Sequence, residues 1–95
     1  MVALDLLGRR TTLRVLWELR EEPMTFRALQ EVCETNARLL NIRLTELKEA
    51  GLVEHGTGGY RLTEQGRSLG AALEPLSAWA EEWARNTPIE QSALP

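Results

Sequence analysis

A two-residue break restricts this chain more than any other feature. Residues 26–34 (FRALQEVCE) and 37–50 (ARLLNIRLTELKEA) both carry apolar residues at helical spacing, and only Thr35-Asn36 stands between them. The first segment has Thr25 in front of it as an N-cap and sets Phe26, Leu29, Val32 and Cys33 on one face. The second has Asn36 as its own N-cap, a buried stripe of Ala37, Leu40, Leu44 and Leu47, and Gly51 where a left-handed residue closes the helix.

The segments on either side fill in an order of elements. Val2, Leu4, Leu6 and Leu7 suggest a short helix ending at Gly8. Leu13, Leu16, Trp17 and Arg20 place a second helix over 12–21, with Thr11 or Thr12 as its cap and Pro23 beyond its end. Residues 52–55 and 60–62 read as two short strands around the turn His55-Gly56-Thr57-Gly58-Gly59, whose glycines permit positive φ. Thr63 caps a last helix, with Glu64 in its first turn. Leu69, Ala72, Leu73, Leu76, Trp79, Ala80 and Trp83 recur along it every three or four residues. Pro75 is expected to kink or split that helix. Residues 87–95 lack periodicity and read as a disordered tail. The fold class is therefore mainly α with a small β-hairpin: a winged helix-turn-helix with a long C-terminal helix. One domain spans residues 1–86, including terminal helices available for dimerisation.

Composition narrows the function classes. The chain has 95 residues, and a domain of that size buries only about 60–65% of its unfolded surface, so burial against a partner would add needed stability. No apolar run approaches the ~18 residues that span a membrane, and Met1–Gly8 lacks the basic start of a signal peptide. Cys33 is the only cysteine, which rules out an intrachain disulfide framework and fits a reducing cytoplasm. The net charge is −3, yet residues 1–67 balance ten Lys/Arg against ten Asp/Glu. The acidity sits in residues 68–95, where Arg85 faces Glu74, Glu81, Glu82 and Glu90.

Catalytic and cofactor chemistry finds no support. His55 is the only histidine, and no Cys/His/carboxylate cluster has metal spacing, so neither a metal nor another cofactor is expected. The glycines at 56, 58 and 59 lead into a strand and do not form a dinucleotide fingerprint. No nucleophile stands in a pattern with a base, and the chain is not expected to be an enzyme. The sequence carries no reading of a small-molecule effector.

Four stretches carry a resemblance: TLRVLWEL at 12–19, MTFRALQEVCE at 24–34, LNIRLTELKEAGLVE at 40–54, and YRLTEQGRSLGAALEPLSAWAEEW at 60–83. The chain resembles the HxlR type of bacterial winged-helix regulators, relatives of the MarR type. The third stretch is common to many winged helices. The fourth, with its proline-containing helix and W-x-x-x-W ending, is more particular to HxlR-like proteins. The resemblance implies a homodimer, paired through terminal helices, that binds double-stranded operator DNA. Two departures stand out. Arg9, Arg10 and Thr11 replace the usual glycine-lysine-tryptophan signature, and the wing is short, with a tip of Thr57, Gly58 and Gly59 that carries no basic residue.

The helix at 36–50 is the expected reading helix. With Leu40, Leu44 and Leu47 turned to the core, Arg38, Asn41, Ile42 and Thr45 fall on the far side at about 100° per residue. An α-helix fits the major groove, where arginine pairs with guanine, asparagine with adenine, and apolar groups meet the thymine methyl. Asn36, Arg38, Asn41, Ile42 and Thr45 are the candidate contacts. Thr25 and Arg27 open the preceding helix, where the backbone is often touched. Arg43 lies at the edge of the core stripe and either clamps a phosphate or pairs internally, for instance with Glu46. Arg61 is the only basic residue of the hairpin. Leu4, Leu7, Leu73, Leu76, Trp79 and Trp83 are the candidate dimerisation residues, because so small a domain has little core left for a whole extra helix. The functional expectation is a transcriptional regulator, with repression the common outcome, acting on a pseudo-palindromic operator. The alternative is a winged-helix protein-interaction module that does not bind DNA, favoured by the acidic C-terminal segment and the bare turn.

Overall fold

Three of the helices start at a side chain that caps them. Thr25 Oγ1 accepts from Ala28 N at 3.2 Å, Asn36 Oδ1 from Leu39 N at 2.8 Å, and Thr63 Oγ1 from Gly66 N at 3.1 Å. Each satisfies a donor that the first helical turn leaves without a partner. The computed structural model describes residues 8–87. Among these the elements run α1 (Arg10–Glu18), α2 (Phe26–Val32), α3 (Ala37–Glu49), β1 (Val53–Gly56), β2 (Gly59–Leu62) and α4 (Glu64–Asn86). The expected helix ending at Gly8, with Leu4 and Leu7, and the tail beyond Thr87 lie outside the described residues.

The start of α1 differs from expectation. Its N-cap is Arg9, with no side-chain hydrogen bond, and neither Thr11 nor Thr12 caps it. Thr12 is instead wholly buried, and its hydroxyl has no hydrogen-bond partner. The periodic face of α1 includes this position, so the core takes the threonine and the helix starts a turn earlier than a cap would allow.

Two helices close with the same motif. After α3, Leu52 N donates to Leu47 O and Gly51 N to Lys48 O, each at 3.0 Å, with Gly51 at φ 77°. This is a Schellman ending with glycine in the left-handed place. After α2, Thr35 N donates to Gln30 O at 3.3 Å and Glu34 N to Glu31 O at 3.2 Å. Here the left-handed residue is Glu34, at φ 51°. The tight break of the sequence is thus a Schellman ending run directly into the Asn36 cap of α3.

The core forms where the helical faces meet the hairpin. Val15, Leu16 and Leu19 come from α1 and its end, Leu29 from α2, Leu40, Leu44 and Leu47 from α3, and Val53 and Leu62 from the strands. Met24, Phe26, Cys33, Leu52, Tyr60 and Leu69 pack around them, half-buried. The strands pair antiparallel in the register Val53↔Leu62, Glu54↔Arg61, His55↔Tyr60 and Gly56↔Gly59. The turn therefore shrinks to Thr57-Gly58: β1 is shifted one residue later than expected, and β2 starts one residue earlier. Met24 adds a one-residue third rung beside Tyr60. A Cβ at Gly59 would lie 2.3 Å from Met24 O, so only glycine admits this approach.

α4 leaves the body soon after it starts. Thr63 Oγ1 donates to Gly51 O at 2.6 Å, and a Cβ at Gly66 would lie 2.1 Å from Leu52 O, so the first turn seats tightly on the end of α3. Gly66 is the only buried residue of its 23. The helix continues through Pro75 without the expected split. Proline removes one backbone donor, and the remaining ladder on either side carries the helix past it.

Candidate nucleic-acid interface

The exposed side of α3 collects the candidates that the sequence placed there. Leu40, Leu44 and Leu47 are sealed in the core, and Arg38, Asn41, Ile42 and Thr45 all face outward. Ile42 keeps 42% of its surface exposed, on a helix whose leucines are buried or half-buried. Thr45 Oγ1 donates to Asn41 O at 2.8 Å. Its hydroxyl proton is thereby used inside the helix, and its methyl remains as an outward apolar group. Asn36 is exposed but engaged as the cap. The first turn of α3 keeps free amide dipoles, a favourable place for a phosphate.

The arginines divide into two groups. Arg27 and Arg38 make no hydrogen bond or ion pair with another described residue, and both are exposed. Their charges stand open to solvent on α2 and α3. Arg43 is different: its guanidinium bonds Glu46, one helical turn along, at 2.5 Å. Of the two readings the sequence left open for Arg43, internal pairing is the one realised. Arg61 Nε likewise bonds Glu54 Oε1 at 2.8 Å across the hairpin, and its guanidinium lies over Gly56. The single basic group of the wing is therefore neutralised by its neighbour.

Glu46 takes a second arginine that sequence reading did not connect to it. Arg9, just before α1, also bonds its carboxylate. The two guanidinium groups hold the Glu46 carboxyl below the usual glutamate range, with the Arg43 hydrogen bond the larger cause and the Arg9 bond adding to it. Arg9 and Glu46 are 37 positions apart, and no local pattern joins them. Glu46 is thus a strut between the start of α1 and the second half of α3.

Thr25 and Arg27 sit at the start of α2, next to the wing. Met24 N donates to Tyr60 O at 2.9 Å and Tyr60 N to Met24 O at 2.8 Å, which brings the start of α2 against β2. The geometry thus joins the start of α2 to the hairpin and gathers Arg38, Asn41, Ile42 and Thr45 on one face of α3. His55 stacks flat on Tyr60, with ring centroids 4.2 Å apart. Cys33 is half-buried, and burial pushes its thiol above the usual value, so it is a neutral, weakly nucleophilic group.

Four of the candidate dimerisation residues lie on α4 within the described residues. Leu76 and Trp79 are 60% and 59% exposed, and Leu73 and Trp83 are partly covered. Trp79 and Trp83 stack with centroids 5.9 Å apart. No helix among the described residues is long and apolar enough to cross a membrane, and no group of three or more His, Cys, Asp and Glu side chains among them is placed to hold a metal.

Comparison with known proteins agrees with this arrangement. The profile of the HxlR-like helix-turn-helix family matches residues 6–88. The chain is 28% identical over 89 residues to the HTH-type transcriptional regulator YvaP of Bacillus subtilis, covering 85% of this chain and 82% of that protein. Among solved structures it is similar to quinone-bound YodB of B. subtilis, with TM-score 0.78 and 32% identity over 85% of this chain and 93% of that one. The reduced form of that transcriptional regulator gives TM-score 0.78 and 28% identity, over 90% of this chain and 92% of that one. The Mycobacterium tuberculosis MarR family protein Rv2887 gives TM-score 0.67 and 27% identity, over 88% of this chain and 67% of that one. The chain belongs to the HxlR-like helix-turn-helix family: it is a DNA-binding transcriptional regulator with a winged helix, and not an enzyme.

Proposed function

We propose that the protein works as a homodimeric repressor on a pseudo-palindromic operator, reading it with the outward face of α3 and pairing through α4. The observation that carries the pairing is the state of α4. A 23-residue helix with one buried residue leaves Leu76 and Trp79 about three-fifths exposed, and such large apolar groups are typical anchors of protein interfaces. Leu73 and Trp83 extend that face, and Leu4 and Leu7 are assigned to the same contact. Two copies paired in this way present two reading helices to successive major grooves, about 34 Å apart.

On DNA, Arg38 and Asn41 supply the hydrogen-bonding contacts, and Ile42 and the Thr45 methyl the apolar ones. Asn36 and the first turn of α3 receive a phosphate, with Thr25 and Arg27 flanking. Arg43 and Arg61 contribute little while Glu46 and Glu54 hold them. Because the chain's net charge is −3, attraction to DNA rests on the local face and on having two of them. The protein is assigned to the bacterial cytoplasm, where its DNA is.

Two measurements test this. Sedimentation velocity on the full chain should give the mass of two copies, and Trp79→Arg should give one copy with an unchanged helical circular dichroism spectrum. Titration against the DNA upstream of its own gene and against random DNA, at several salt concentrations, should show specific, salt-dependent binding that weakens in the Trp79→Arg monomer. A wild-type mass of one chain sinks the dimer. Equal affinity for both DNAs sinks the operator assignment.

A further inference from the structure

The start of α1 lies along one side of α3, and two observations place it there. Arg9 bonds Glu46, in the second half of α3. Arg10 lines a cleft together with Asn36 and Leu39, the cap and first turn of the same helix. At about 100° per residue, Leu39 and Glu46 share a side of α3, roughly 90–110° from the middle of the face formed by Arg38, Asn41, Ile42 and Thr45. The start of α1 is therefore beside the reading face.

That side has a definite meaning on DNA. A helix with its side chains is about 10–12 Å across, and the major groove is about 12 Å wide. The middle of the outward face then meets base edges, and the two sides meet the groove walls, which carry the phosphates. The first half of the helix goes deepest, so a cation beside that half is the one a wall phosphate reaches.

Among the described residues, Arg10 is the cation on this side with its charge at liberty. Arg9 and Arg43 are both held by Glu46, and Arg14 by Glu18 at 2.9 Å. Arg10 is exposed and bonds no other described residue. The first turn of α1 contains no acidic residue to repel a phosphate, and Glu34 is the one carboxylate that lines the cleft with Arg10. The Arg9–Glu46 bond ties down the residue next to Arg10 and so fixes the backbone that carries it.

We propose that Arg10 is a phosphate contact on one wall of the groove that α3 enters, with the Arg9–Glu46 bond positioning it. The proposal rests on α3 as the reading helix. A phosphate contact is indifferent to sequence, so Arg10 adds affinity on any DNA and leaves the choice of bases to α3.

Fluorescence anisotropy of the full chain tests this, on the DNA upstream of its own gene and on random DNA, at several salt concentrations. Arg10→Gln should weaken both by the same factor, about five- to tenfold at 0.1 M salt, and flatten the salt dependence by about one ion per bound chain. Arg10→Lys should restore most of both. In an Arg9→Gln background, where the start of α1 is no longer tied to Glu46, Arg10→Gln should cost less than it does in wild type. An unchanged circular dichroism spectrum shows that each variant is folded. A salt slope that Arg10→Gln leaves unchanged overturns the proposal, and so does a loss confined to the upstream DNA. Equal costs of Arg10→Gln in the two backgrounds overturn the positioning role of Arg9. Failure of the reading helix shows differently: Arg38→Ala would then keep the preference for upstream DNA, whereas the Arg10 effect is read on random DNA alone.

Discussion

Met24 and Tyr60 exchange both of their backbone hydrogen bonds, at 2.9 and 2.8 Å, and so tie the residue ahead of α2 to the second strand of the hairpin. The contact exists because residue 59 has no side chain. Gly59 stands at φ 118°, and a Cβ there would meet Met24 O at 2.3 Å. Gly59→Ala should therefore destabilise the fold by about 2–3 kcal/mol, from left-handed strain plus the lost bridge. In a domain of this size that corresponds to a melting temperature lower by roughly 10 °C or more. Thermal unfolding followed by circular dichroism reads it, and a change within a degree would show that the bridge is not required.

The opposite change is expected at Glu34. Its φ of 51° places a branched-chain-free but ordinary side chain where the Schellman ending wants glycine. Glu34→Gly should stabilise the protein by about 1 kcal/mol, because the left-handed cost outweighs the extra freedom glycine has when unfolded. Urea denaturation should show a higher midpoint with the same slope.

Glu46 gives a pH dependence of definite sign. Its folded value is lowered by Arg43 and Arg9, so the folded chain favours the ionised form more than the unfolded chain does. The stabilisation is complete above the ordinary glutamate value and is lost as pH falls through the lowered one. Glu46→Gln should thus be less stable than wild type at about pH 7, and the difference should shrink below about pH 4 and vanish in stronger acid. Paired urea titrations across that range measure it. A difference that stays constant with pH would mean that the carboxylate charge plays no part.

Arg38 and Arg61 should behave differently on DNA. Arg38 is exposed and bonds no described residue, and Arg38→Ala should weaken operator binding by about 1–3 kcal/mol. Arg61 is matched by Glu54 at 2.8 Å, so Arg61→Ala should change affinity by less than about 0.5 kcal/mol. Glu54→Gln, which frees Arg61, should tighten binding and steepen the salt dependence by roughly one ion. Fluorescence anisotropy at several salt concentrations separates these outcomes, and equal losses for the two arginine variants would contradict the division.

The features legible in the sequence are those set by near neighbours. Thr25, Asn36 and Thr63 cap their helices as expected because a cap needs only the next three residues. The outward face of α3 follows from 3.6-residue spacing alone. Thr12 shows where that kind of reading ends. Its residue type suits a cap, but it falls on the periodic face of α1 with Val15, Leu16 and Leu19, and the core takes it. Arg43 had two open partners because spacing reaches Glu46 but cannot weigh it against a phosphate. Arg9 was missed because its partner is 37 positions away. Pro75 invited a split that the helix does not make, since one absent donor is a small loss in a 23-residue ladder.

The length of α4 has a mechanical consequence. At about 1.5 Å per residue its 23 residues form a rod of roughly 34 Å, close to one turn of B-DNA. The rod is clamped at one end by Gly66 and Thr63 against the residues that close α3, packs on the core again through Leu69, and is mostly exposed beyond it. In the proposed pair, the stretch from clamp to crossing point acts as a ruler between the two reading heads. Half-site spacing then becomes a property of a stiff strut, so a one-turn insertion in α4 would select a differently spaced operator while leaving each head's preferred bases unchanged.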